Sequence, residues 1–240
     1  MSEVAETEAP FFIVYQMGKV GSVSLANSLR AKFGEANVAH IHPHDVVLQT
    51  IDAQRTCGRA VIVMTGFREP LARCISAYFQ TFANPINPWW YVGAPDEILA
   101  KGVDWLITDY KTKAPRHVSE KIALWLGEYQ RTLGVGISDF ERRANFWTAS
   151  TEGVTFYVYK LEELAEFVHA ASRDRWLGGL QLGTANDARQ KWSGALYREF
   201  LQTFRLTRAE YVSVYGGLDY VRWLYGDHEI ERLTERFISG

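Results

Sequence analysis

Cysteine is scarce in this chain: only Cys57 and Cys74 occur in 240 residues, too few for the disulfide framework that holds small secreted domains together. No basic stretch near the start leads into an apolar one, so a secretory leader is not expected and the expected compartment is the cytoplasm. Long hydrophobic runs are also missing. Phe11 to Tyr15 is far short of the roughly 20 residues that cross a bilayer and gives way at once to polar residues. No membrane anchor is expected. Charge of one sign is not in excess either: 26 Lys and Arg stand against 28 Asp and Glu, a net charge of −2. That balance argues against a nucleic-acid partner and leaves room for a local basic pocket around one small anionic ligand. Repeats and low-complexity linkers are absent. What is there is an apolar share of 47% with 14% aromatics, enough for a substantial core. The length suits one domain spanning 1–240, with residues 1–9 as a disordered tail. Oligomeric state has no signature in the sequence.

Phe11 to Tyr15 reads as a buried strand, followed by a glycine-containing loop, Gln16 to Ser22, and a helix on which Leu25, Leu29 and Phe33 recur until Gly34 stops it. Val38 to Ile41 reads as a second strand, leading through His42-Pro43-His44 to a helix that Asp45 is expected to cap. Ala60 to Met64 is a third strand, running through Thr65-Gly66-Phe67-Arg68-Glu69-Pro70 into a helix with Leu71, Ile75 and Phe79 on one side. Helical pattern returns over Val103 to Tyr110 and Ser119 to Leu133. Val154 to Tyr159 is a fourth strand, and a helix follows from Leu161 to Ala171. The remainder reads as helices. Between them, Asn84 to Pro95 is a loop whose Trp89, Trp90 and Tyr91 are expected to pack inward rather than face a ligand. Strands alternating with helices imply a parallel sheet.

The Gln16 to Ser22 loop joins a buried strand to a helix N-terminus, where backbone N–H groups and the helix dipole attract phosphate-like anions. Gly18 and Gly21 allow close backbone approach, Ser22 and Ser24 add hydroxyls, and Lys19 adds a charge. A plain structural turn produces similar loops, so context decides. A nucleoside-triphosphate loop reads G-x-x-x-x-G-K-[ST] and is paired with an aspartate at a strand end that holds magnesium. Here Lys19 precedes Gly21, and the third strand ends without an aspartate. The pattern favours a nucleotide whose transferred group needs a lysine and no metal.

Two segments resemble the PAPS-dependent sulfotransferases, enzymes that use 3′-phosphoadenosine-5′-phosphosulfate. Gln16 to Leu25 is similar to the family's 5′-phosphosulfate loop, so the resemblance implies cofactor contacts at Gly18, Lys19, Val20, Gly21, Ser22, Val23 and Ser24. Val61 to Tyr78 is similar to its 3′-phosphate motif, an arginine at a strand end with a serine eight residues on, here Arg68 and Ser76. A further likeness to bacterial capsular-polysaccharide and other carbohydrate sulfotransferases runs over Asn186 to Phe200. The tyrosine usual after its tryptophan, Trp192, is absent. It makes Lys191 a candidate 3′-phosphate contact, with Arg189 second and a plain surface helix the alternative. The fold implied is α/β, a P-loop-NTPase-like three-layer arrangement with a central parallel sheet and a mostly helical C-terminal half.

Sulfonate transfer needs a charge on the leaving phosphate oxygen, a proton acceptor for the attacking hydroxyl, and alignment of the two. Lys19 is expected to supply the charge. For the base, His42 is the first choice and His40 the second, because histidine accepts protons near neutral pH and alternate strand residues share a face. The three nearby imidazoles are also compatible with a metal site, and Glu120 or His117 are alternative bases. Arg73 is read as a solvated helix residue in preference to a ligand contact. The expected partner is a hydroxyl-bearing saccharide or small molecule, and the expected product of the cofactor is adenosine-3′,5′-bisphosphate. A Mg-ATP-dependent small-molecule kinase and a non-catalytic nucleotide-binding protein are the rival functions.

Overall fold

The computed structural model describes residues 9–86, 90–171, 176–183, 192–215 and 218–238, with backbone alone for 115–126, 128 and 219. The chain divides into two compact units, residues 1–68 with 127–185 and residues 69–126 with 186–240.

The first unit holds the sheet. Its strands are β1 (Phe11–Tyr15), β2 (Val38–Ile41), β3 (Val61–Phe67), β4 (Glu141–Arg142), β5 (Phe146–Thr151) and β6 (Val154–Lys160), in the order β2-β1-β3-β6-β5-β4. β1 pairs in parallel with β2 and β3, β3 pairs in parallel with β6, and β5 and β4 continue the sheet antiparallel. Every residue of β1 and β3 is buried, as central strands covered on both faces must be, which is why both read as unbroken apolar runs. On one face, Phe12, Val14, Ile62, Met64 and Tyr159 pack with Leu25 and Leu29 of α1 (Ser22–Phe33) and with Phe167 of α5 (Leu164–Ala171). Towards the other face lie α2 (His44–Thr56), which contacts β1 and β3, and Tyr129, stacked on Tyr15 with ring centres 5.6 Å apart. The result is a mostly parallel α/β sheet with helices on both sides.

Three expectations shift in this unit. Asp45 does not cap α2: the helix begins at His44 with Pro43 at the cap position, and Asp45 sits in the first turn, where its charge suits the helix dipole. β3 extends three residues beyond Met64, to Phe67. β5 and β4, absent from the sequence reading, add an antiparallel edge joined to β6 by a tight Glu152-Gly153 turn with positive φ at both residues.

The second unit is helical: α3 (Pro70–Thr81), the larger part of α4 (Pro95–Leu133), α6 (Gly194–Thr203), α7 (Arg208–Tyr215) and α8 (Asp219–Thr234). Non-helical Gly102 kinks α4 into two helices, and the second runs without a break over both expected helical stretches, Val103 to Tyr110 and Ser119 to Leu133. Tyr78, Phe79 and Phe82 pack with Trp90, Tyr110 and Phe200 in an aromatic core. Trp90 is 1% exposed, as the inward-packing reading expected; Tyr91 is exposed, and Trp89 lies outside the described residues. Among the described residues no helix is long and apolar enough to cross a membrane.

Candidate active site at the first strand-to-helix junction

β1 ends at Tyr15, and the chain turns through Gln16 to Gly21 before α1 begins at Ser22. The turn is tight. Gly18, Lys19 and Gly21 have φ of 89°, 66° and 75°, a left-handed conformation that is uncommon for a lysine. Gly21 is doubly constrained, because a Cβ there would also lie 2.5 Å from Leu161 Cδ1. Gly21 stands at the cap position of α1 and has no side chain to cap it, and the first intrahelical bond runs from Leu25 N to Gly21 O at 3.2 Å. The backbone N–H groups of Ser22, Val23 and Ser24 therefore lie ahead of the hydrogen-bond ladder, at the positive end of the helix dipole. Lys19 is half-buried in the same turn, Val20 is buried beneath it, and Ser22 is 4% exposed. This is a cradle that suits a phosphate-like group.

Beside the loop, the C-terminal end of β2 delivers the histidines. The parallel register sets Val14 against His40 and Tyr15 against Ile41, so His40 and His42 emerge next to Gln16. Their rings share a face, with centres 4.9 Å apart. His42 is exposed, and its Nδ1 lies 3.0 Å from the Gln16 carbonyl oxygen. A carbonyl only accepts, so Nδ1 carries the proton, and in the neutral ring Nε2 is the proton acceptor. His40 is committed differently. Its Nε2 lies 2.9 Å from Gln16 Nε2 and 3.1 Å from Ser22 Oγ. An amide nitrogen only donates, so His40 Nε2 accepts, with the Ser22 hydroxyl directed at the same atom. Partial burial, helped by His42 and Arg30, pushes the His40 pKa down and favours this neutral form. The geometry therefore separates the two candidates: His42 presents a basic nitrogen, whereas His40 uses its own to hold Ser22 and Gln16. His44 hydrogen-bonds Tyr15 through Nδ1. Among the described residues no three His, Cys, Asp or Glu side chains converge as a metal site.

Arg68 follows β3 as the last residue of the first unit and is half-buried. Ser76 is half-buried on α3 in the second unit. Lys191 and Arg189 lie outside the described residues, as do the side chains of Glu120 and His117. Arg73 departs from expectation: it is buried at 6% exposure, not solvated, because α3 is enclosed over most of its circumference.

At the start of α3, Glu69 Oε1 accepts from Leu71 N at 2.8 Å and Oε2 from Ala72 N at 2.7 Å, and the Tyr215 hydroxyl donates to Oε1 as well. The N-terminus of α3 is thus closed by the protein's own carboxylate, and any anion bound there depends on side chains. Gln16 is the participant that sequence reasoning missed. It is 1% exposed and supplies both the carbonyl for His42 and the amide for His40; its one signal was a polar residue directly after a wholly apolar strand.

A cavity of about 630 Å³ in the same unit is lined by Val61, Phe146, Thr155, Tyr157 and Trp176. Val61 pairs with Phe11 at the opposite end of β1 from the loop, so this cavity is separate from the histidines. Comparison of the chain with protein-family models, with curated proteins and with solved structures finds no match.

Proposed function

We propose that the chain is a PAPS-dependent sulfotransferase that places a sulfonate on a hydroxyl of a saccharide or other small molecule. The observation carrying this reading is one junction that joins a phosphate-type cradle, a lysine within it, and a histidine fixed with its proton on the far nitrogen. When bound, PAPS supplies the sulfonate, and adenosine-3′,5′-bisphosphate departs. The chain's own groups do the rest. Gly18 to Ser24 offer backbone N–H groups and the Ser22 and Ser24 hydroxyls to the 5′-side, and Lys19 neutralises charge growing on the leaving phosphate oxygen. His42 Nε2 takes the proton of the acceptor hydroxyl while its Nδ1–H stays on the Gln16 carbonyl, which stabilises the ring's orientation as it becomes charged. His40 aligns Ser22 and is a positioning residue. Arg68 and Ser76 are assigned to the 3′-phosphate on their spacing. No metal is assigned a role.

A kinase reading fits less well on a specific observation. The first acid after β3 in the sequence is Glu69, and both of its oxygens already serve the start of α3, leaving it poorly placed to hold magnesium. The Arg68 assignment is tested by calorimetric titration of Arg68→Ala with adenosine-3′,5′-bisphosphate and adenosine-5′-phosphate. Loss of about tenfold or more for the bisphosphate alone is expected from one charge-assisted contact. Equal loss for both nucleotides contradicts the assignment.

A further inference from the structure

Arg73 lies wholly within the helical unit, four residues after Glu69 on α3, and is 6% exposed. Buried guanidinium groups are normally paired with a carboxylate, because an unpaired buried charge is costly. This one is not. Among the described residues its only side-chain hydrogen bond is a long contact from Nη1 to Cys74 Sγ at 3.8 Å, Nε is buried without a partner, and no carboxylate forms an ion pair with it. The acid best placed by helical spacing, Glu69, spends its oxygens on Leu71 N, Ala72 N and the Tyr215 hydroxyl.

A second polar group shares this environment. The Tyr110 ring is fully buried in the aromatic core of the same unit, and its hydroxyl has no hydrogen-bond partner among the described residues. Its ring packs against Tyr78 of α3, the helix that carries Arg73, with ring centres 5.3 Å apart. Two buried donors of this unit, of the kind a folded protein normally satisfies internally, have no partner among the described residues.

We propose that Arg73 and the Tyr110 hydroxyl form a receiving site for a single oxyanion, a sulfate, phosphate or carboxylate group carried by a ligand. Burial pushes the Tyr110 phenol well above its ordinary pKa, so it stays protonated and able to donate, and burial likewise raises the Cys74 thiol and keeps it uncharged. Arg73 then supplies charge and directional N–H groups, and Tyr110 adds one neutral donor. The inference does not rest on the transfer reaction, since any ligand with such a group would use the site.

The test is calorimetric titration of the full chain and of Tyr110→Phe and Arg73→Met with inorganic sulfate, glucuronate and adenosine-3′,5′-bisphosphate, beside thermal melts without ligand. Tyr110→Phe keeps the ring and removes only the unpaired hydroxyl, so it should melt at the same temperature or higher. It should nevertheless bind at least one of the three probes about tenfold more weakly, and Arg73→Met should weaken the same probe further. Weakened sulfate or glucuronate binding with intact bisphosphate binding assigns the site to an acidic small molecule; weakened bisphosphate binding assigns it to a nucleotide phosphate. Wild-type affinity of Tyr110→Phe for all three probes, or no binding of any of them by the wild type, overturns the proposal. Should Arg73→Met fail to fold, Tyr110→Phe alone decides.

Discussion

At the start of α1 the cap residue is Gly21, which has no side chain to cap the helix, and the preceding loop is bent into left-handed backbone with a lysine at its centre. At the start of α3, by contrast, Glu69 and Pro70 occupy the cap and first-turn positions and a buried carboxylate takes two backbone N–H groups. Both helices follow a buried parallel strand, and both face the same problem of N–H groups without acceptors. One has a glycine at its cap position and lies beside two histidines; the other is capped by its own carboxylate. The difference teaches that a strand-to-helix junction becomes a candidate anion site only when the protein does not cap it with its own side chain. It also gives the two junctions different work in the proposed reaction: backbone and lysine at the first, side chains alone at the second.

The comparison can be broken most forcefully at the histidines that border the open junction. His42→Ala should lower turnover by about 10²–10⁴-fold, the usual contribution of a general base, while leaving calorimetric affinity for adenosine-3′,5′-bisphosphate within a factor of two or so of wild type. Loss of nucleotide affinity in parallel with turnover would remove His42 from the base role. Next in size is Gly21→Ala, which forces a side chain into positive φ and against Leu161. It should cost about 1–3 kcal/mol of stability in urea unfolding and weaken anion binding as well. Glu69→Ala should cost about 1–2 kcal/mol through the lost cap and leave the anion affinity of the open junction unchanged. A Glu69 variant that loses that affinity as strongly as the Gly21 variant would erase the distinction between the junctions.

The smallest effect concerns pH. Burial lowers the His40 pKa in the folded protein below its ordinary 6.5, so as pH falls through 6.5 the unfolded chain takes up a proton that the folded chain resists. Stability therefore falls with decreasing pH in the window between 6.5 and the lower folded value, and is unaffected by this group above it. The groups acting on His40 are His42 and Arg30, together with its contacts Gln16 and Ser22. His40→Gln should flatten that part of the melting-temperature profile; an unchanged acid slope would assign it to other groups.

How much of this could be read beforehand depended on where the information resides. Strands β1, β3 and β6 were legible because strands buried on both faces are written as nearly continuous apolar runs, β2, a partly buried edge strand, was legible from the short Val38 to Ile41 stretch alone, and the loop was legible because its glycines fall directly between an apolar strand and a helical period. β5 was not, since Phe146-Trp147-Thr148-Ala149-Ser150-Thr151 ends in exposed polar residues and its turn is Glu-Gly rather than the Asn-Gly or Asp-Gly that signals a hairpin. Arg73 was misjudged because helical periodicity identifies one apolar face and cannot register a helix enclosed on several sides. At the site, the shared face of His40 and His42 followed from strand periodicity. Their division of labour did not, because it depends on Gln16 and Ser22, brought to them from 18 to 26 positions away. The closure of α3 by Glu69 was likewise hidden in side-chain geometry.

The central claim, that the open junction serves a 3′-phosphorylated adenosine nucleotide, is tested most directly by comparing melting temperatures with adenosine-3′,5′-bisphosphate, adenosine-5′-phosphate and Mg-ATP at equal concentration, since a ligand selective for the folded state raises the melting point. The account predicts the largest rise with the bisphosphate; a rise with Mg-ATP and none with the bisphosphate would contradict it and favour the kinase.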